Sequence, residues 1–408
     1  MKRKMADQKY WIWFSQLFTF QDLLARKILE IYKTPEAIYH IAPEDLKLFP
    51  EDFKKKIQNK DLAQAEQIIA ECHKKHINIV TYEDEEYPQR LKNIPDFPYV
   101  IYHFGKWYDF DHLPALAVVG TRKCTPYGKA VAEGFSKELS RRGMLIVSGL
   151  ALGVDAHAHL GALKAGGETV AVLGSGVDVI YPKTNKDIFD LVYAHGAVIS
   201  EYPPGTSVKK YYFPARNRLI SALSLGVLVV EAGRGSGSLI TANCALEQGK
   251  DVFAVPDSIL SQNSEGSLGL IQQGAKCVAR VEDILVEYEG QYAFRKTEKK
   301  PENETNEMKR DEYIASFQNL NETEKLILET LSSKPLLADD VVSLTGLTAA
   351  QVISTMTMLE IKGAVQALAG RRYRLNLNEW GVVIGKKFGY CGVAGKSQDN
   401  HEISWKGL

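Results

Sequence analysis

The 408-residue sequence predicts an α/β protein with a Rossmann-like, mostly parallel sheet, preceded by a small helical domain and followed by a winged-helix-like domain. The first observation is a series of apolar runs of strand length that alternate with segments of helical period. The second is that these runs are continuous rather than alternating, as is typical of parallel strands covered on both faces. They occupy residues 116–120, 144–149, 169–174, 196–200, 226–232 and 251–256.

The region before the sheet changes character once. In residues 1–78 apolar side chains recur at helical spacing, which predicts a small helical (SAM-like) domain. Residues 79–110 are rich in Tyr, Pro and β-branched residues and predict extended connecting structure that leads into the sheet. We expect the sheet domain as a whole to span 79–290.

The region after the sheet begins with a segment of low apolar content. Residues 291–320 predict a flexible charged linker. Residues 321–376 then give three short helices and a hairpin, the winged-helix pattern. The third of these helices is poor in Arg and Lys, so contact with a protein is as good an interpretation as contact with a DNA groove. The tail, 377–408, carries no interpretable pattern.

Composition limits the class of protein. Lys+Arg and Asp+Glu each total 50, so the net charge is zero and a nucleic-acid site would have to be a local patch. None of the five cysteines stands in a C-x-x-C spacing, which favours a reducing compartment without structural zinc. No apolar run reaches the roughly 18 to 20 residues of a membrane span, and no cleavage site follows the basic N-terminus. We therefore expect a cytoplasmic protein without membrane contact.

Three predicted strands end in glycine-containing loops that can hold phosphate. Glycine lets the backbone approach an anion closely, and serines at a helix start can donate to an oxyanion. The loops lack both the dinucleotide fingerprint and the Walker A pattern, which argues against ordinary NAD, ATP or GTP chemistry. The candidate residues are Gly120, Arg122 and Lys123 after the first strand, Gly174, Ser175 and Gly176 after the third, and Ser236, Gly237 and Ser238 after the fifth. The helix that starts at Tyr127-Gly128 is expected to add exposed amides to the first loop.

The segment after the fourth strand combines positive charge with aromatic rings. Cations can track a phosphate backbone while aromatic faces stack on bases, a pairing typical of single-strand binding. A solvated basic loop is the alternative interpretation. The candidate binding residues are Lys209, Lys210, Phe213, Arg216, Asn217 and Arg218, interleaved with Tyr211 and Tyr212.

Two groups of side chains resemble metal sites superficially. Asp155, His157 and His159 form a D-x-H-x-H string, but positions i, i+2 and i+4 of a helix do not share one face. The Cys72–His76 segment lacks a second pair of ligands. No spacing indicates nucleophilic catalysis, so no catalytic, metal or cofactor site is predicted.

Three functions fit these residues. The leading hypothesis is a non-enzymatic protein that binds single-stranded DNA. The alternative is a hydrolase of nucleoside monophosphates that uses the same pocket, with Glu231 or Asp178 as acid or base. A third, which the family resemblance given below implies, is an adaptor that binds a recombinase through an apolar surface and DNA only weakly.

Seven segments in order resemble the DNA-processing protein A (DprA/Smf) family. They are GTRKCTPYG, SGLALGVDAHAH, GSGVDVIYPKTN, SEYPPGT, FPARNRLISALS, VVEAGRGSGSLITA and GKDVFAVP, of which the FP-x-RNR-x-I part is the most specific. The resemblance covers about residues 80–285. Three positions depart from the family pattern and are expected to alter loop geometry at the end of the domain: Asp257 for Gly, Leu268 for Asn and Ala222 for a common Gly.

The resemblance implies an extended Rossmann fold that binds single-stranded DNA without sequence preference. Such proteins protect incoming strands, help to load the RecA recombinase in natural transformation or recombination, act as homodimers and have no established catalytic activity. By motif position, the family's DNA pocket corresponds to Arg122, the Gly174–Gly176 loop, Lys210, Phe213, Arg216 and Arg218.

Overall fold

The computed structural model describes residues 2–19, 22–295, 313–317, 320–331, 335–368 and 370–376. The chain forms two compact units, Met1–Thr297 and Glu298–Leu408. The predicted linker 291–320 lies largely outside the described residues, and the tail 377–408 lies wholly outside them. The predicted domain limits at 78, 290 and 320 stay predictions.

The first part of the larger unit is helical. Its helices are α1 Lys2–Leu17, α2 Leu23–Tyr32, α3 Pro35–Tyr39, α4 Pro43–Leu46, α5 Glu51–Gln58 and α6 Ala63–Lys75. Buried aromatic side chains of α1, Trp11, Trp13 and Phe14, pack in one cluster with Tyr99 and Tyr102 further along the chain. The helices therefore share their core with the sheet that follows.

A nine-stranded sheet forms the centre of this unit. Its strands are β1 Asn78–Thr81, β2 Val100–Gly105, β3 Ala115–Val119, β4 Leu145–Ser148, β5 Thr169–Val172, β6 Ala197–Ser200, β7 Gly226–Val229, β8 Asp251–Ala254 and β9 Lys276–Cys277. Their order is β1-β2-β6-β5-β4-β3-β7-β8-β9, and every pairing from β6 to β9 is parallel. All six predicted apolar runs form strands, so the predicted fold class is confirmed.

The segment predicted as connecting structure is part of the sheet, which corrects that expectation. β1 pairs antiparallel with β2, and β2 pairs antiparallel with β6. An antiparallel strand can extend the edge of a parallel sheet without a crossover helix. The Tyr, Pro and β-branched residues predict extended connecting structure but do not reveal that two parts of the segment pair with the sheet.

Helices cover both faces of the sheet. They are α7 Gln89–Lys92, α8 Pro126–Arg141, α9 Val154–Lys164, α10 Lys186–His195, α11 Tyr212–Ala222, α12 Ser238–Glu247, α13 Glu265–Gln272 and α14 Glu282–Leu285, with a 3-10 turn at Lys183–Asn185. Ala115, Ala117 and Val119 of β3 face one apolar layer, whereas Leu116 and Val118 face the other. This burial on both faces explains why the strands read as continuous apolar runs.

The strand order reverses between β3 and β7. From β3 the chain continues to β4 on one side, and from β7 it continues to β8 on the other side. The loops that leave these two neighbouring strands therefore diverge and open a crevice at the carboxyl edge, where open α/β sheets bind ligands.

The smaller unit has the predicted three helices and a hairpin. Its elements are α15 Glu322–Thr330, β10 Leu336–Leu337, α16 Ala338–Thr345, α17 Ala349–Ile361, β11 Val365–Leu368 and β12 Arg372–Leu375. The strands form a sheet in the order β10-β12-β11. Thr348 and Gln351 form a capping box that fixes the start of α17.

No single described helix has both the length and the apolar composition of a membrane span. Only α16 and α17 taken as a pair have both, and they are bent by 113° at the break between them.

Candidate nucleic-acid interface

A groove of about 680 Å³ opens at the reversal point of the strand order. It lies between the loop after β3, the start of α11 and the start of α12. Ten of the fifteen predicted site residues line it: Gly120, Arg122, Lys123, Lys210, Phe213, Arg216, Asn217, Ser236, Gly237 and Ser238. The fold thus brings together segments that are more than 100 residues apart in the chain.

The loop after β3 is fixed by its backbone. The Thr121 amide donates to the carbonyl of Glu231 at 2.7 Å, and the Val154 amide donates to the carbonyl of Thr121 at 3.2 Å. A Cβ on Gly153, whose φ is +77°, would lie 2.3 Å from the Thr121 carbonyl oxygen. Only glycine at 153 therefore lets α9 approach the loop that carries Arg122 and Lys123.

The start of α8 already holds an anion, which corrects the expectation that its amides are exposed. The Thr125 amide donates to the carboxylate of Glu231 at 2.9 Å, and the Thr125 hydroxyl donates to the same carboxylate. The Thr125 hydroxyl oxygen accepts from the Gly128 amide at 3.1 Å. Glu231 is fully buried, so this helix start is an internal charge contact rather than a ligand site.

An aromatic ring and a guanidinium face each other in the groove. The guanidinium carbon of Arg122 lies 5.1 Å from the centroid of the Phe213 ring, a cation–π distance. The ring of Tyr181 lies 5.6 Å from that of Phe213. Arg122, Lys123 and Lys210 are exposed, and no ion pair joins any of them to another described residue.

Arg216 lines the groove but is buried beneath it. Its guanidinium donates to the carbonyl of Gly149 at 2.7 Å and to the carbonyl of Val172. A Cβ on Gly149 would lie 2.5 Å from that guanidinium, so glycine makes room for it. Burial lowers the pKa of Arg216 to about 10, although the nearby Asp155 carboxylate acts in the opposite direction. Burial likewise raises the pKa of Asp155.

Arg218 lies outside the groove. Its side chain is 3% exposed, and two nitrogens of its guanidinium donate to Glu201 at 2.7 and 3.0 Å. A third nitrogen lies 3.1 Å from the carboxylate of Asp96. The charge is therefore neutralised inside the protein and faces away from any ligand in the groove.

The other predicted residues outside the groove lie behind α11 or beside it. Ser175 is buried, and its hydroxyl donates to the carbonyl of Val179 at 3.0 Å. A Cβ on Gly174 would lie 3.3 Å from the Phe213 ring. The Gly176 amide donates to the carbonyl of Thr206. The ammonium of Lys209 lies 5.4 Å from the ring centroid of Tyr212. The Gly174–Gly176 loop thus supports the start of α11 from behind.

The start of α12 forms the opposite wall of the groove. The hydroxyls of Ser236 and Ser238 lie 2.8 Å apart. The Asn217 side chain donates to the carbonyl of Gly237 at 3.2 Å, which joins α11 to this turn. The Ser238 and Leu239 amides donate to the hydroxyl and the carbonyl of Ser236, so the donors that this wall can offer to phosphate oxygens are the serine hydroxyls.

Some groove residues were missed by the sequence-based prediction. Tyr181, Ala151, Thr241 and Asn263 line the groove without having been chosen. Tyr181 stands in the quoted segment GSGVDVIYPKTN, so an aromatic residue after a glycine loop was an available signal. Asn263 had none, because its place at the groove depends on the folding of the loop after β8.

The three polar side chains of the D-x-H-x-H string do not point toward a common centre. Asp155 accepts from the Gly149 amide at 3.2 Å, His157 lies 3.5 Å from Glu133, and His159 contacts the Thr169 hydroxyl at 2.7 Å. Burial lowers the pKa of His159 to about 3. Among the residues that the structure describes, no group of three or more His, Cys, Asp or Glu could hold a metal ion.

The two carboxylates considered for a nucleotide hydrolase have structural partners. Glu231 is held by Thr125, as described above. Asp178 accepts from the Gly205 amide at 2.8 Å and lies 2.5 Å from the ammonium of Lys75. Neither residue lines the groove, so the hydrolase alternative is not favoured.

Comparison with known proteins identifies the family. Residues 78–289 match the DNA recombination-mediator protein A family. The chain belongs to this family. Residues 315–371 match the DprA winged helix domain, so the predicted winged-helix unit is confirmed. The resemblance seen in the seven ordered segments is thereby confirmed as well.

Similar proteins come from several bacteria. Protein Smf of Synechocystis is 32% identical over 90% of this chain and 99% of its own length. DNA processing protein DprA of Bacillus subtilis is 43% identical over 54% of this chain and 74% of its own. The crystal structure of DprA from Streptococcus pneumoniae covers 59% of this chain and 82% of that one, with a TM-score of 0.54 and 41% identity.

Proposed function

We propose that this protein binds single-stranded DNA without sequence preference, in the groove at the carboxyl edge of its sheet. The observation that carries the proposal is the placement of Arg122, Lys123 and Lys210. These three exposed cations line the same groove as the Phe213 ring in a DNA recombination-mediator protein, and the guanidinium of Arg122 lies 5.1 Å from the centroid of that ring. Cations suit the phosphates, and the ring suits a base.

The groove is a local positive patch on a neutral molecule. The total charge of the chain is zero, but its carboxylates do not cancel these cations. Asp155, which also lines the groove, is buried opposite the equally buried Arg216. The positive charge of the rim is therefore available to a ligand, and the serine hydroxyls at the start of α12 add uncharged donors.

The wider role follows from the family. The protein would protect single strands in the cytoplasm and help to load the RecA recombinase, in natural transformation or in general recombination. It would act as a homodimer, because two grooves double the positive surface that one neutral chain presents. In this role it is a binding protein rather than an enzyme.

The decisive experiment compares a single strand with a duplex of the same length at two salt concentrations. We expect tight binding of the single strand that weakens as salt rises, because bound phosphates release counterions. Strands of different sequence should bind alike, since phosphate contacts carry no base information. Equal affinity for strand and duplex, or binding that ignores salt, would refute the proposal.

A further inference from the structure

The loop between β8 and α13 displays two aliphatic side chains to solvent. Ile259 is 85% exposed and Leu260 is 91% exposed. Water contact with such side chains is unfavourable by about 25 cal/mol per Å² of apolar surface. These are the two most exposed large apolar side chains among the described residues, and they are adjacent in one loop, which makes them a candidate contact surface.

The loop holds these side chains in a defined turn. The Ser264 hydroxyl lies 2.6 Å from the carbonyl oxygens of both Ser258 and Ser261. The Ser258 amide donates to Asp257 at 2.6 Å, and the Leu260 amide donates to the Ser258 hydroxyl at 3.2 Å. Asp257, one of the departures from the family pattern, thus helps to close the turn.

The same loop is attached to the groove rim. The Asn263 side chain donates to the carbonyl of Lys123 at 3.0 Å, and Asn263 itself lines the groove. The Tyr127 hydroxyl donates to the carbonyl of Pro256 at 3.0 Å. The loop that carries the aliphatic pair is therefore joined through Asn263 to the segment of Lys123, where the backbone of a bound strand would pass.

We propose that Ile259 and Leu260 contact the bases of the single strand where it leaves the groove past Lys123, an inference that rests on the proposed function. Residues 256–264 contain no Lys or Arg, so this loop offers no cation to a phosphate. Aliphatic side chains contact nucleic acids through the bases, by inserting between them or covering their faces. Lys123 holds the backbone, and the loop tip covers the adjacent bases.

A protein partner fits this surface less well. A stable protein interface buries about 800 Å² on each side, and two aliphatic side chains offer only a small part of that area. One or two bases, in contrast, are covered by a pair of such side chains.

The test uses the full-length protein with Ile259 and Leu260 both replaced by Ser. Binding is measured to an oligothymidine strand and to a fully abasic strand of the same length. The double variant should lose about five- to tenfold affinity for oligothymidine, near the lower end of the effect of removing one base-stacking residue. On the abasic strand, wild type and variant should bind equally.

Three controls separate the possible outcomes. Leu48→Ser removes an aliphatic side chain that is 83% exposed in the helical part, and it should leave both affinities unchanged. Thermal unfolding verifies that the double variant is folded. Arg122→Ala should weaken binding to both strands, because it removes a phosphate contact.

Each contrary result has a distinct meaning. An equal loss on both strands, or no loss on either, would overturn the base contact while leaving the groove intact. Loss of RecA binding with unchanged affinity for both strands would assign the pair to a protein partner, which also overturns the inference. Failure of Arg122→Ala to weaken binding would instead count against the proposed function.

Discussion

Both the groove rim and the layer beneath it contain basic side chains, but those of the rim are exposed and those of the layer are buried. At the rim, Arg122, Lys123 and Lys210 are exposed and have no ion pair among the described residues. In the layer beneath, Arg216 and Arg218 are buried and bound to backbone carbonyls or carboxylates. The difference shows that a basic cluster in a sequence can divide into a binding surface and the scaffold that supports it.

The largest expected effect comes from the buried layer. Arg218→Ala leaves the carboxylate of Glu201 buried without its bidentate partner, which should destabilise the fold by about 3 to 5 kcal/mol. Chemical denaturation measures this loss. The folded fraction of this variant should bind single-stranded DNA like wild type. A loss of affinity without a loss of stability would show that Arg218 belongs to the binding rim and not to the buried layer.

Acid should act on the buried layer rather than on the rim. The pKa of His159 is lowered by burial from 6.5 to about 3, so between these values the unfolded chain binds more protons than the folded one. Stability is therefore lost as the pH falls below 6.5, by on the order of 2 kcal/mol at pH 5.

The control for this effect is His159→Gln. It removes one titrating group and should reduce the pH dependence of unfolding in this window to the part that remains from His103, whose pKa is also lowered by burial, to about 4. A wild-type stability that stays constant from pH 6.5 to 5 would disagree with a buried neutral histidine.

At the rim, Arg122→Ala should reduce affinity for single-stranded DNA about tenfold, with stability unchanged within about 0.5 kcal/mol. The slope of log affinity against log salt concentration should also decrease by about 1, the value for one lost phosphate contact. Fluorescence anisotropy at several salt concentrations measures both. Lys47→Ala, an exposed lysine in the helical part, is the matched control and should behave as wild type.

The smallest effect is expected for Lys210→Ala. A lysine is a point charge on a flexible stem without the planar fork of an arginine, so we expect a loss of about two- to fivefold, equal for all strand sequences. Competition between strands of different base composition measures whether the loss of affinity is the same for each. A loss confined to one sequence would indicate that Lys210 reads a base.

Much of the architecture could be predicted from local pattern. The six apolar runs form six strands because strands buried on both faces must be apolar throughout. The glycine loops fall at the carboxyl edge for the same topological reason that opens the groove there. The two antiparallel strands β1 and β2 were missed, since their pairing is set by the edge of the sheet and not by their own residues.

The site was predicted less completely. Gly120, Arg122 and Phe213 lie at the groove as their positions in the motifs suggest. Lys209 and Lys210 are adjacent in sequence, yet only Lys210 lines the groove. Tyr181 and Asn263 complete the groove, and of the two only Asn263 gave no signal in the sequence.

The sequence by itself determined the α/β class, the family and the presence of a basic, aromatic segment, because each is written in local periodicity or in ordered motifs. Only the tertiary structure decided which cations are exposed at the groove and which are buried. Arg216 and Arg218 stand two residues apart on α11 and point in different directions. Their partners come from distant parts of the chain: Gly149 and Val172 for Arg216, Asp96 and Glu201 for Arg218. Helical spacing fixes which way a side chain points, but the fold alone determines what it meets there.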